Sequence, residues 1–120
     1  MFKTILSKLV ESIPGAACAV FVDWEGETVD AYALDGDEYH VKFVGAHNGV
    51  LLDAAKRLAK AVDMGETRQL MIRSDKHDYV TWPVHDGYFI VLTVKSGTQL
   101  VRVEAALGEA VASLKKEMGY

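Results

Sequence analysis

The chain of 120 residues has one cysteine, Cys18, only two prolines, and more acid than base, with 13 Lys and Arg against 17 Asp and Glu. A lone cysteine excludes an intramolecular disulfide and fits a thiol-reducing compartment. No apolar run reaches the length of about 18 residues that a transmembrane helix needs. Gly15-Ala16-Ala17-Cys18 has the look of a lipoprotein signal, but Lys8 and Glu11 interrupt the place where its apolar core would lie. We therefore expect a cytoplasmic protein with no membrane insertion. The net charge of -4 argues against nucleic acid as a partner, because such a partner calls for a basic footprint. Neither Gly-x-x-x-x-Gly-Lys-Ser/Thr nor Gly-x-Gly-x-x-Gly occurs, so no phosphate cradle is recognisable. A Gly-x-Ser-x-Gly nucleophile elbow is missing as well.

What is present is globular. Half the residues are hydrophobic and 25% are charged, and a chain of this size buries roughly two-thirds of its unfolded surface. One domain over residues 1–120 is expected. Phe2, Ile5, Leu6, Leu9, Val10 and Ile13 recur at helical spacing until Pro14-Gly15 stops them. Residues 16–22 are apolar at nearly every position, which predicts a central strand buried on both faces. A loop over 23–27 leads to a partner strand over 28–34, with Val29, Ala31 and Ala33 on one face and Asp30 and Tyr32 on the other.

After the break at Asp35-Gly36-Asp37 the period turns helical from Glu38 to Val62, with Val41, Val44, Leu51, Ala55, Leu58 and Val62 along one stripe and Gly65 as the expected C-cap. Three strands follow. One centres on Leu70-Met71-Ile72, within Arg68–Ser74, and residues 75–78 form its turn. The next is Tyr79–Val84. Asp86-Gly87 then signals a tight turn into Tyr88–Val94. Ser96-Gly97-Thr98 offers caps for a last helix, lined by Leu100, Val103, Leu107, Val111 and Leu114. Hairpins dominate this order, so an α+β fold with a mostly antiparallel sheet is expected.

Nothing local assembles a catalytic or metal site, and no cofactor is expected. His40 and His47 are two helical turns apart, about 10 Å along the axis. His77, with Asp75 or Asp78, and His85 beside Asp86 fall where polar turn residues are ordinary. Cys18 lies in a buried strand, unlike an exposed, electropositive reactive thiol. Two features stand out. Lys56, Arg57 and Lys60 cluster near the end of the middle helix, where they complement its dipole or face an acidic partner. Gly45 and Gly49 lie four apart inside that helix, each costing about 1 kcal/mol relative to Ala. They serve close packing on the chain's own sheet, or close approach of a second helix.

Several blocks resemble the Roadblock / dynein light chain family, in the form of its MglB-like bacterial or archaeal members. Pro14-Gly15-Ala16-Ala17-Cys18-Ala19-Val20-Phe21-Val22-Asp23 with Glu25-Gly26 resembles the family's first strand and hairpin. Gly65-Glu66-Thr67 into Leu70-Met71-Ile72 resembles the approach to its third strand. Pro83-Val84, Asp86-Gly87 and Leu92 resemble its fourth and fifth strands, and Leu100-Val101-Arg102 the opening of its last helix. Trp24 and the Gly45–Gly49 stretch depart from its usual alanine- and leucine-rich pattern.

The resemblance implies a five-stranded antiparallel sheet of order 2-1-5-4-3, with the middle helix on one face and the two terminal helices on the other. It places Pro83, which by itself suggests an edge strand, on an interior one. It also implies a homodimer, or a heterodimer with a related domain. Third strands would pair across the two-fold axis and middle helices would lie side by side. Carried onto this chain, that interface is Val41, Val44, Gly45, Asn48, Gly49 and Leu52 with Arg68, Leu70, Met71, Ile72 and Arg73. The implied function is a non-catalytic scaffold that binds a small Ras-like GTPase and modulates its GTP hydrolysis or localisation. Lys56, Arg57 and Lys60 would touch the partner, and Arg57 is the candidate for an arginine finger. The rival function is a structural adaptor bridging larger proteins without effect on nucleotide turnover.

Overall fold

Helix α1 runs from Phe2 to Ser12 in the computed structural model, which describes all 120 residues. Its last turn ends where Ile13 becomes extended ahead of Pro14. Strand β1 (Ala16–Val22) follows, then β2 (Thr28–Ala33), α2 (Glu38–Ala61), β3 (Leu70–Arg73), β4 (His77–His85), β5 (Tyr88–Lys95) and α3 (Leu100–Glu117). The sheet has the order β2-β1-β5-β4-β3, antiparallel at every seam. This is the expected topology.

Alternation along the central strands divides the core in two. On one face Phe21, Ile90, Leu92 and Val94 pack with Leu6, Leu9 and Val10 of α1 and Val103, Leu107 and Leu114 of α3. On the other Val20, Val22, Phe89 and Val91 pack with Val41, Val44 and Leu52 of α2. Because β1 and β5 are covered on both faces, they read as unbroken apolar runs.

The turns follow local chemistry. Asp23 Oδ1 accepts the N–H groups of Glu25 and Glu27 and shapes the first hairpin. Asp37 Oδ1 accepts the His40 N–H at 3.1 Å and caps α2. Asp86 (φ 50) and Gly87 (φ 84) are both left-handed, the conformation a two-residue hairpin turn requires.

Three expectations need correction. Helix α2 is closed by Asp63, left-handed at φ 55, rather than by Gly65. The Met64 N–H bonds the Ala59 carbonyl and the Asp63 N–H that of Lys60, a Schellman closure. At α3 the N-cap is Gln99, without a side-chain bond, while Thr98 Oγ1 turns back to the Lys95 carbonyl at 2.6 Å. Residues His77 and Asp78 belong to β4, not to a turn. Buried Asp78 accepts the Ser74 N–H at 3.2 Å and so shapes the tight β3–β4 connection itself. Pro83 lies on an interior strand, as the resemblance implies, at a place where β3 has already ended, since the β3–β4 pairing stops at Leu70↔Thr81. Its missing N–H therefore deprives no neighbouring strand.

Candidate interaction surface

Helix α2 is apolar on more than one side, and the sheet takes only one of them. A Cβ on Gly45 would stand 2.9 Å from Val20 Cγ1 on β1, and a Cβ on Gly49 2.9 Å from Phe89 Cζ on β5. The two glycines thus let α2 sit tightly on its own sheet. One step round the helix, buried Asn48 Oδ1 accepts from Thr81 Oγ1 of β4 at 3.3 Å, and Asn48 Nδ2 donates to the Val44 carbonyl. Val41, Val44 and Leu52 complete this inward face. These helix positions, expected at an interface with a second copy, instead face the chain's own strands. Their side chains are spent within the fold.

The same rotation, from Gly49 over β5 through Asn48 over β4, leads next to Leu51, His47 and Leu58. This side of α2 lies past Asn48, the helix's link to β4, whereas the helix packs mainly on β2, β1 and β5. It is apolar and uncovered. Leu51 is 46% exposed, Phe43 57% and Leu58 63%, with Val62 also exposed at the end. The Phe43 ring stacks on His47 at a centroid separation of 4.1 Å. Leu51, Leu58 and Val62 were assigned by periodicity to the same stripe as Val41 and Val44. They lie outside the core because the apolar arc of α2 is wider than the single face that the sheet buries. Tyr39 and Phe43 were missed, although that width was the available signal.

Strand β3 borders this face as the last strand of the sheet. Leu70, Met71 and Ile72 are half-buried, and Arg68 and Arg73 are exposed. Arg68 falls in the segment before the strand. Arg73 Nε lies 3.5 Å from Asp78 Oδ2, which ties the end of β3 to β4. The expected edge residues are therefore together, beside the apolar side of α2.

The three basic residues are not. Lys56 and Lys60 line a cleft of about 730 Å³ between the end of α2 and the β4–β5 turn, while Arg57 is exposed outside it. Around that cleft Lys56, Lys60 and Lys115 are balanced by Asp63, Glu66 and Asp86, so it has no strong charge preference. Trp24 is exposed beside it and packs edge-on against Tyr88 at 5.5 Å. Cys18 is buried, and burial pushes its thiol above the ordinary value. No group of three or more His, Cys, Asp or Glu side chains is placed to hold a metal ion. No helix is long and apolar enough to cross a membrane.

Residues 3–94 match the family model of the Roadblock/LC7 domain. Among solved structures, the chain is similar to a Roadblock/LC7 domain from Streptomyces avermitilis, with a TM-score of 0.88 and 17% identity over 98% of this chain and 97% of that one. It is similar to MglB of Myxococcus xanthus at a TM-score of 0.87 and 16% identity, covering 98% and 94% of the two chains. MglC of Myxococcus xanthus gives a TM-score of 0.68 and 22% identity, over 97% and 98%. No curated protein matches the chain by sequence.

Proposed function

Because the chain belongs to the Roadblock/LC7 domain family, we propose that it works as a paired scaffold that binds a small Ras-like GTPase and modulates its GTP hydrolysis or localisation. Residues 1–120 act as one such domain, with no active site of their own. The observation that carries this reading is an exposed apolar side of α2, Phe43, Leu51 and Leu58, together with β3, an edge strand paired only on its β4 side.

A second copy suits both features together. Its β3 would extend the sheet by main-chain bonding, and its α2 would cover the apolar side of this one. Leu70, Met71, Ile72 and Arg73 then form the strand seam, with Arg68 at its margin. The helix contribution comes from Phe43, Leu51 and Leu58 rather than from the inward face. Pairing would leave Arg57 exposed on the shared helical surface, with Lys56 and Lys60 at its flank. Such a surface would act on a GTPase by holding its mobile switch segments in one geometry, so that the GTPase's own groups do the chemistry.

The test is a pull-down from lysate loaded with GDP or a GTP analogue, with the protein immobilised. Retention of a small GTPase only with the GTP analogue, followed by an altered hydrolysis rate, supports the scaffold. Retention of a large non-GTPase chain under both conditions replaces it with the adaptor reading.

A further inference from the structure

The two edges of the sheet are not equivalent. Leu34 N–H bonds the Ala17 carbonyl at 3.0 Å, so the antiparallel alternation turns the backbone groups of Ala31 and Ala33 away from β1, towards the outside, up to the bulge that skips Val29. Several of these are already bonded. Lys3 Nζ donates to the Ala31 carbonyl at 2.7 Å, and Asp30 Oδ1 accepts the Ala31 N–H at 2.9 Å. The Ala33 carbonyl accepts the Gly36 N–H at 3.1 Å.

Lys3 also does something its neighbours cannot. It stands on α1, on one side of the sheet, yet its Nζ reaches Glu38 Oε2 at 2.7 Å in the first turn of α2, on the other side. Asp30 Oδ1 lies 3.4 Å from the same ammonium. The side chain therefore wraps the β2 edge from layer to layer, across the point where an incoming strand would bond. Its hydrogen bond to Glu38 raises the Lys3 pKa further, so the ammonium stays charged through neutral pH.

At the far edge the Ser74 N–H bonds the His77 carbonyl at 3.2 Å, so Met71 and Arg73 face outward by the same alternation. No side chain bonds their backbone groups. An open edge beside a blocked one is the pattern by which sheet proteins restrict edge-to-edge growth.

We propose that Lys3, Asp30 and Glu38 form a clamp that bars strand addition at β2, so that second copies of this chain dock only along β3 and assembly closes instead of running on as a chain of sheets. Closure at a pair rests on the reading of the previous subsection, because an isologous seam uses up the only free edge. The blockade of β2 does not depend on it.

The test compares masses by light scattering across a concentration series for the wild type and for Lys3→Met with Asp30→Thr. Met keeps the apolar stem and removes the donor, and Thr removes the carboxylate that accepts the Ala31 N–H and pairs with Lys3. With a native circular dichroism spectrum and a cooperative melt, the double variant should reach about twice the wild-type mass or more, rising with concentration. Adding Ala33→Pro, which removes an outward N–H from the same edge without touching the β1 ladder, should return the mass to the wild-type value. A folded double variant that keeps the wild-type mass overturns the proposal. So does an increased mass that persists with a folded Ala33→Pro, since growth would then use another surface. A wild type of single-copy mass would refute the pair, yet a two-copy double variant would still support the clamp. Should the double variant not fold, Lys3→Met alone is read in the same way.

Discussion

Thr81 of β4 donates through its buried hydroxyl to Asn48 Oδ1 of α2, and this pair ties the helix to a strand beyond β2, β1 and β5, on which it mainly packs. It is a polar link in an otherwise apolar layer. Asn48→Ala removes the acceptor and leaves a buried hydroxyl unsatisfied, which should lower stability by about 2 kcal/mol. Chemical denaturation of both proteins measures this; an unchanged midpoint would mean the hydroxyl finds another partner.

Two glycine-to-alanine changes should differ, only one of them stabilising. In α3 a Cβ on Gly108 meets nothing within 4 Å, so Gly108→Ala should raise stability by about 1 kcal/mol through helix propensity alone. In α2 a Cβ on Gly45 would stand 2.9 Å from Val20 Cγ1 and 3.1 Å from Val22 Cγ2. There the crowding penalty of about 1–3 kcal/mol offsets or exceeds the same gain. Melting temperatures that rise equally for both variants would show that α2 has room to shift.

Burial raises the Cys18 pKa above its ordinary 9.0. The folded chain thus favours the thiol over the thiolate. The stability this contributes is fully present below the unfolded value and is lost as pH rises through the folded one. At neutral pH the reaction of Cys18 with a disulfide reagent should follow the fraction of unfolded chain as denaturant is added. Fast labelling of the native protein would contradict its burial.

If two copies pair as proposed, Leu51→Asp on α2 and Ile72→Lys on β3 should each shift the mass towards the single copy in light scattering at tens of micromolar. Leu51 is exposed in the single chain, so its variant should fold normally. A pair that survives both substitutions would place the interface elsewhere.

Arg57 separates two ways of acting on a GTPase. A scaffold that orders the partner's own groups predicts at most a few-fold loss of stimulated hydrolysis for Arg57→Ala. An arginine finger predicts a loss of about 10³ or more. Single-turnover hydrolysis with the identified GTPase distinguishes them.

Local periodicity was enough for the element order, because apolar spacing changes from helical to strand-like within a few residues of each Pro, Gly or Asp signal. The unbroken runs of β1 and β5 likewise announce central strands. Together with the short blocks shared with the family, they made the sheet order legible.

The direction in which α2 faces was decided only in three dimensions. Val41, Val44, Leu51 and Leu58 look alike along the chain, and a helix with a broad apolar arc can bury either side. The choice is made by Val20 and Phe89, whose side chains fill the space left by Gly45 and Gly49. The guarded edge is likewise tertiary. Lys3 meets Ala31 and Glu38 across 28 and 35 residues of sequence, and no local pattern reports a contact between layers that approach each other only when the sheet forms.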